Sequence, residues 1–174
     1  ADVEHEWARI DGRPEFIITC RFLDRYIRPG DRVLDIGGGP GRYALRLAKQ
    51  GCEVTLLDLS PVNVRFAKDK AKEQNLNLRA VEGDARTTDE AVQGPFDHVL
   101  LMGPLYHLQT EADRVKAVDA SLRLLKPGGL VYASFINLYS GLIYAMKREP
   151  ECVIDQSKSS LAYLDALFLN KSIA

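Results

Sequence analysis

The segment Val33-Leu34-Asp35-Ile36-Gly37-Gly38-Gly39-Pro40-Gly41 restricts the fold of this chain more than any other. Its first four residues read as a short buried strand interrupted by one carboxylate. Glycines follow at once, and they let a backbone turn sharply and pass close to a ligand. Arg42-Tyr43-Ala44-Leu45-Arg46-Leu47-Ala48-Lys49 then has helical spacing. Strand, glycine turn and helix in succession form the unit that binds nucleotide-like ligands at the top of an α/β sheet. The ligand is left open at this point. The dinucleotide fingerprint G-x-G-x-x-G is met at Gly37 and Gly39, but its third glycine position holds Arg42. An acidic residue within the strand, Asp35, is also foreign to that pattern.

Alternation continues along the chain. A helix is expected over Pro14–Ile27, with Phe16, Ile17, Cys20, Leu23 and Ile27 at three- and four-residue steps, followed by a turn at Arg28-Pro29-Gly30-Asp31. Strands are expected over Arg32–Ile36, Glu53–Leu57, Leu76–Val81, Phe96–Leu101 and Leu130–Ile136. Between them, helices are expected over Arg42–Gln50, Pro61–Gln74, Thr88–Gln93 and Glu111–Leu125. Ser60 is an N-cap with Pro61 in the first helical position, and Gly51 is a helix stop. Val62, Phe66 and Ala67 are expected inward on the second of these helices, and Val115, Val118, Leu122 and Leu125 on the last. Phe96–Leu101 is apolar enough to be buried on both faces. Five strands alternating with helices give an α/β fold with a doubly wound, mostly parallel sheet.

Beyond Ile136, helices are expected over Leu138–Lys147 and Ser160–Asn170, the second with Leu161, Leu164, Leu167 and Phe168 as an apolar stripe. The fifth strand then forms an exposed edge, which proteins usually cover. A helix, a second copy of the chain or further strands absent from this sequence would close it. The organisation expected is a helical cap over residues 1–30, a ligand-binding core over 31–136 and a helical segment over 137–174, with C-terminal strands missing or incomplete.

Composition excludes several classes. The 174 residues carry 23 Lys and Arg against 24 Asp and Glu, a formal net charge of -1. That balance lacks the basic footprint of a general nucleic-acid binder. No apolar run approaches a membrane span. The acidic start, Ala1-Asp2-Val3-Glu4-His5-Glu6, is no signal peptide, and the missing Met points to a trimmed chain. Cys20, Cys52 and Cys152 have no metal-ligand spacing and read as inert thiols in a reducing cytoplasm.

Five ordered motifs resemble those of the Rossmann-like S-adenosylmethionine-dependent methyltransferases. They are Val33–Gly41, Leu57-Asp58-Leu59-Ser60, Glu82-Gly83-Asp84-Ala85, Phe96-Asp97 leading to Gly103-Pro104-Leu105-Tyr106-His107-Leu108, and Leu124-Leu125-Lys126-Pro127-Gly128-Gly129. The resemblance runs from Ile27 to Ile136 and implies S-adenosylmethionine as cofactor, S-adenosylhomocysteine as product and no metal. It implies that Gly37, Gly38, Gly39 and Gly41 pass beneath the methionine part. Asp35 would face its ammonium, and Asp58 would accept from both ribose hydroxyls, as an acceptor-only carboxylate can. Leu59, with Ser60 beside it, would pack at the adenine. Asp84 and the Ala85 amide would read the adenine edge, and Met102 would line the pocket.

The resemblance places the acceptor after the fourth strand. His107 is the candidate base there, because an imidazole can exchange protons near neutrality, and Tyr106 would shape the pocket. Gly103-Pro104-Leu105 departs from the Asn/Asp-Pro-Pro sequence of amide-nitrogen methyltransferases, which leaves a small-molecule acceptor as the expectation. A homo-oligomer through the sheet edge or the C-terminal segment is an accompanying expectation. The rival readings are a non-catalytic S-adenosylmethionine-binding module, a nicotinamide-dependent oxidoreductase and a nucleic-acid methyltransferase.

Overall fold

The computed structural model describes residues 3–10, 13–137, 139, 140, 143, 146 and 147. The expected helix at Ser160–Asn170, Cys152 and part of the expected helix at Leu138–Lys147 lie outside the described residues. The chain divides into two units, Ala1–Ser134 and Phe135–Ala174. Within the second, Tyr139, Ser140, Ile143, Met146 and Lys147 are helical.

In the first unit the order is α1 (Val3–Ile10), α2 (Pro14–Leu23), β1 (Arg32–Ile36), α3 (Arg42–Lys49), β2 (Glu53–Asp58) and α4 (Pro61–Glu73). β3 (Leu78–Glu82), α5 (Thr88–Ala91), β4 (Phe96–Leu101), α6 (Glu111–Arg123) and β5 (Leu125–Ala133) follow. The strands form one parallel sheet in the order β3-β2-β1-β4-β5. After β1 the chain winds to one side; after β3 it crosses to the other. That reversal opens a crevice at the carboxyl ends of the strands, where open α/β sheets bind ligands.

Strand alternation builds two cores. Val33 of β1 packs with Leu23, Leu47, Val64 and Ala67 under α2, α3 and α4. Leu34 and Ile36 pack with Val92, Phe96, Val99, Leu105 and Leu124 on the other face. By the same period of two, Asp35 shares the face of Val33. Cys20 and Cys52 are buried free thiols. Among the described residues no helix is long and apolar enough to cross a membrane.

Several expectations change: α2 stops at Leu23 and leaves Ile17 exposed, and β3 starts at Leu78. α1 falls inside the expected N-terminal helical cap, in the part whose own residues read as an acidic terminus. The Arg42 guanidinium sits 4.0 Å from the Trp7 ring centroid and its Nε donates to the Trp7 carbonyl at 3.0 Å, while the Trp7 and Phe66 rings lie 5.5 Å apart. The residue in the third-glycine position therefore anchors an N-terminal helix. β5 begins at Leu125 rather than Leu130 and ends at Ala133. Lys126-Pro127-Gly128-Gly129 is drawn into the pairing as an irregularity, since Phe96 faces Leu125 but His98 already faces Leu130. On α6, Val115 and Leu122 are half exposed, and Ala117, Ala120 and Ser121 face inward instead. On α4, Val62 is exposed and Val64 takes its place, because the small residues Ala67 and Ala71 set the face that meets the sheet.

Candidate functional site

The crevice contains a cleft of about 370 Å³. Three chain segments converge on it. The first is the glycine turn after β1. Gly37 and Gly38 donate to the Leu57 carbonyl at 2.7 and 3.4 Å, which hangs the turn on the end of β2. Gly37 has φ +65°, and an added Cβ would lie 2.6 and 2.8 Å from the Pro104 ring carbons. Gly37→Ala combines left-handed strain with a clash against a stiff ring. It is expected to lower folding stability by about 1–3 kcal/mol, read by chemical denaturation.

The second segment is the end of β2. Asp58 is 8% exposed. Its Oδ2 accepts from the Gly39 amide at 2.8 Å, and its Oδ1 accepts from the Ser60 amide at 2.9 Å and from Asn63 Nδ2 at 3.1 Å. Ser60 in turn caps α4, its hydroxyl accepting from the Asn63 amide. One carboxylate thus fixes both the glycine turn and the start of α4. Its carbonyl accepts from the Gly83 amide at 3.0 Å, tying in the end of β3. The third segment follows β4, where a single helical turn, Pro104–Tyr106, brings Tyr106 and His107 to the cleft with rings 4.8 Å apart.

Of the residues singled out in the sequence, Gly37, Gly39, Asp58, Leu59, Asp84, Ala85, Tyr106 and His107 line this one cleft. Asp35, Gly38, Gly41, Ser60 and Met102 do not. Gly41 is a packing glycine: its φ is +89° and a Cβ would meet Ala67 and Leu56 at 3.2 Å. Met102 packs against the core beneath α3 and α4. Asn63 and Arg86 also line the cleft and were missed. Asn63 could have been found as the third residue of a Ser-capped helix beside Asp58. Arg86 had only its place after the Asp84-Ala85 pair to mark it.

Asp35 lies under the turn, 2% exposed, and its Oδ2 has no hydrogen-bond partner. Burial, with repulsion from Asp58, pushes its carboxyl up to about 7, against a donation from the Ala44 amide. An added Cβ on Gly38 would sit 2.7 Å from Asp35 Oδ2. Gly38 thus covers an unsatisfied buried acceptor, and its neighbours Gly37 and Gly39 line the cleft. That arrangement fits a ligand bringing a cationic donor, and Asp58, whose Oδ2 keeps one acceptor position beside the Gly39 bond, fits a hydroxyl donor.

His98 and Asp97 have other tasks. Buried His98 is 3.2 Å from Asp31 and 3.3 Å from the Tyr132 hydroxyl. Asp97 accepts from the Arg32 amide and from Lys126, whose ammonium holds its carboxyl below the usual carboxylate range. Both brace the sheet.

Comparison with known proteins agrees with this geometry. The chain is 38% identical over 136 residues to a ubiquinone biosynthesis O-methyltransferase of Methylocella silvestris, a match covering 74% of this chain and 47% of that protein. It thus spans about half the length of the relative. Among solved structures, a TehB-like SAM-dependent methyltransferase of Corynebacterium glutamicum superposes with TM-score 0.59 and 29% identity, over 66% of this chain and 60% of that one. The [4+2]-cyclase SpnF superposes with TM-score 0.60 and 30% identity, over 67% and 43%. Residues 33–129, from the first buried strand through the Pro-Gly-Gly turn, match the methyltransferase domain family, and by that match across more than half its length the chain belongs to this family.

Proposed function

We propose that the cleft binds S-adenosylmethionine and that the protein transfers the methyl group to a hydroxyl oxygen of a small-molecule acceptor. The observation that carries this reading is the convergence of Gly37, Asp58, Asp84 and His107 on one cleft, above the unsatisfied Asp35. The oxygen acceptor is supported by the relatives named as O-methyltransferases.

The cofactor supplies an activated methyl group on a sulfonium, so the protein's task is mainly alignment. Asp58 would accept from one ribose hydroxyl at the acceptor position that Gly39, Ser60 and Asn63 leave free, and from the second once Asn63 Nδ2 gives way. Asp35 meets the ammonium, and Leu59 covers the adenine. The acceptor sits against Tyr106 and His107. His107 would take the acceptor hydroxyl proton as the bound sulfonium supplies the methyl group. A cytoplasmic setting belongs to this reading.

His107→Ala is expected to lower kcat by about 10²–10⁴-fold and leave the dissociation constant for S-adenosylhomocysteine unchanged. Transfer of a labelled methyl group from S-adenosylmethionine to phenolic and aliphatic hydroxyl acceptors, read beside that dissociation constant, tests both parts. An unchanged kcat removes His107 as base.

A structural neighbour named as a [4+2]-cyclase and not as a methyltransferase favours a second reading, in which no methyl group is moved. Under that reading the protein binds S-adenosylmethionine and no acceptor is labelled. A nicotinamide dinucleotide is disfavoured by Arg42, which occupies the fingerprint's third glycine position and is committed to α1.

A further inference from the structure

Asp84 should be available to the adenine edge, yet both oxygens of its carboxylate are held by Arg86, two residues away. Oδ1 accepts from the Arg86 amide at 2.8 Å and from its Nε at 3.0 Å. Oδ2 accepts from Nε at 3.1 Å and from Nη2 at 2.5 Å. A carboxylate has about four lone-pair positions, and the Arg86 amide, Nε and Nη2 claim three of them, with the single Nε hydrogen shared between the two oxygens. The Arg86 guanidinium holds the carboxyl well below the usual carboxylate range. Both residues line the cleft, so the pairing stands at its wall.

A second carboxylate is within reach of the same guanidinium. Arg86 Nη1 lies 3.5 Å from Asp113 Oδ1, in the first turn of α6. Asp113 is fixed there by the Thr110 cap, its amide donating to Thr110 Oγ1 at 3.1 Å. Arg86 therefore stands between two acceptors, gripping one by both oxygens and touching the other. A turn of its exposed guanidinium toward Asp113 would free the side-chain contacts on Asp84 and leave the Arg86 amide bond in place.

We infer that Arg86 is a latch on the adenine end of the cleft, competing with the exocyclic amine of the cofactor for Asp84 and moving to Asp113 when the amine binds. The inference rests on the reading that the cleft holds S-adenosylmethionine with its adenine at Asp84. It makes Arg86 a positioning residue that weakens cofactor binding in the ligand-free state. A brace that merely orients Asp84 would have the opposite effect on affinity.

The test is calorimetric titration of wild type, Arg86→Gln, Arg86→Lys and Asp113→Asn with S-adenosylhomocysteine. Each protein is also titrated with S-inosylhomocysteine, which carries an oxygen in place of the amine. Arg86→Gln is expected to bind S-adenosylhomocysteine about two- to fivefold more tightly than wild type, the scale of one exposed ion pair. The gain should be absent with S-inosylhomocysteine. Arg86→Lys, which keeps the charge but loses the fork, should fall between. Asp113→Asn should bind more weakly, because the displaced guanidinium loses its second acceptor.

Arg86 is exposed, and unchanged thermal melting of each variant separates affinity from folding. Equal or weaker binding by folded Arg86→Gln overturns the latch while leaving the cofactor site in place. A gain shared equally by both ligands also overturns it. No binding by wild type or any variant overturns the cofactor reading itself, and the latch with it.

Discussion

Asp58→Ala is expected to weaken binding of S-adenosylmethionine by about 2–4 kcal/mol, roughly 30- to 1,000-fold. Two losses combine. The ribose hydroxyls lose a charged acceptor, and the glycine turn loses its anchor, because Gly39, Ser60 and Asn63 all donate to this one carboxylate. Three donors left without their partner should also lower folding stability by about 1–3 kcal/mol, although water can reach part of the site. Denaturation and calorimetry on the same preparation separate the two. Asp58→Asn keeps one acceptor oxygen and should fall between wild type and alanine in both. If Asp58→Ala loses stability but not affinity, the carboxylate serves the turn alone.

Asp35→Asn should move stability and binding in opposite directions. The native state holds the Asp35 proton up to about pH 7, whereas an unfolded aspartate gives it up near pH 4. Between those values the native state binds more protons than the unfolded one, so rising pH favours unfolding. The contribution of Asp35 is therefore most favourable below pH 4 and is lost as pH rises through about 7. Asparagine removes the buried charge. The variant should match wild type near pH 4 and exceed it by about 2–4 kcal/mol at pH 8 in the absence of ligand.

Affinity runs the other way, since the ammonium of the cofactor loses its carboxylate. A fall of about 1.5–3 kcal/mol is expected at pH 8. Binding to wild type at pH 6 should also release a proton, because the arriving cation drives Asp35 to ionise. Titrations in buffers of different ionisation enthalpy read that release directly. A variant that is less stable than wild type at pH 8, or that binds equally well, removes this role from Asp35.

The sequence displayed the glycine turn, Asp35, Asp58 and the run of βα units because each is written locally. A buried strand shows as a short apolar run, a turn as glycines and a helix start as Ser60-Pro61. What it hid depends on residues brought together from afar. α1 could not be read from Val3–Ile10, since its docking surface is made by Arg42 and Phe66. The start of β5 was hidden because Pro127-Gly128-Gly129 ends helices in isolation, and only the β4 edge pulls it into a strand. Val115 and Leu122 suggested an inward face of α6, but apolarity does not say which side meets the sheet. Asp84 illustrates a different limit. Its place after Gly83 pointed to ligand binding, and nothing in spacing alone announces that Arg86 would hold both its oxygens.

Calorimetric titration of the wild-type chain with S-adenosylhomocysteine, beside Asp58→Ala, tests the central claim most directly. One saturable site per chain is expected, with affinity lost in the variant. No binding by the folded wild type, or an affinity that Asp58→Ala leaves unchanged, would contradict the account.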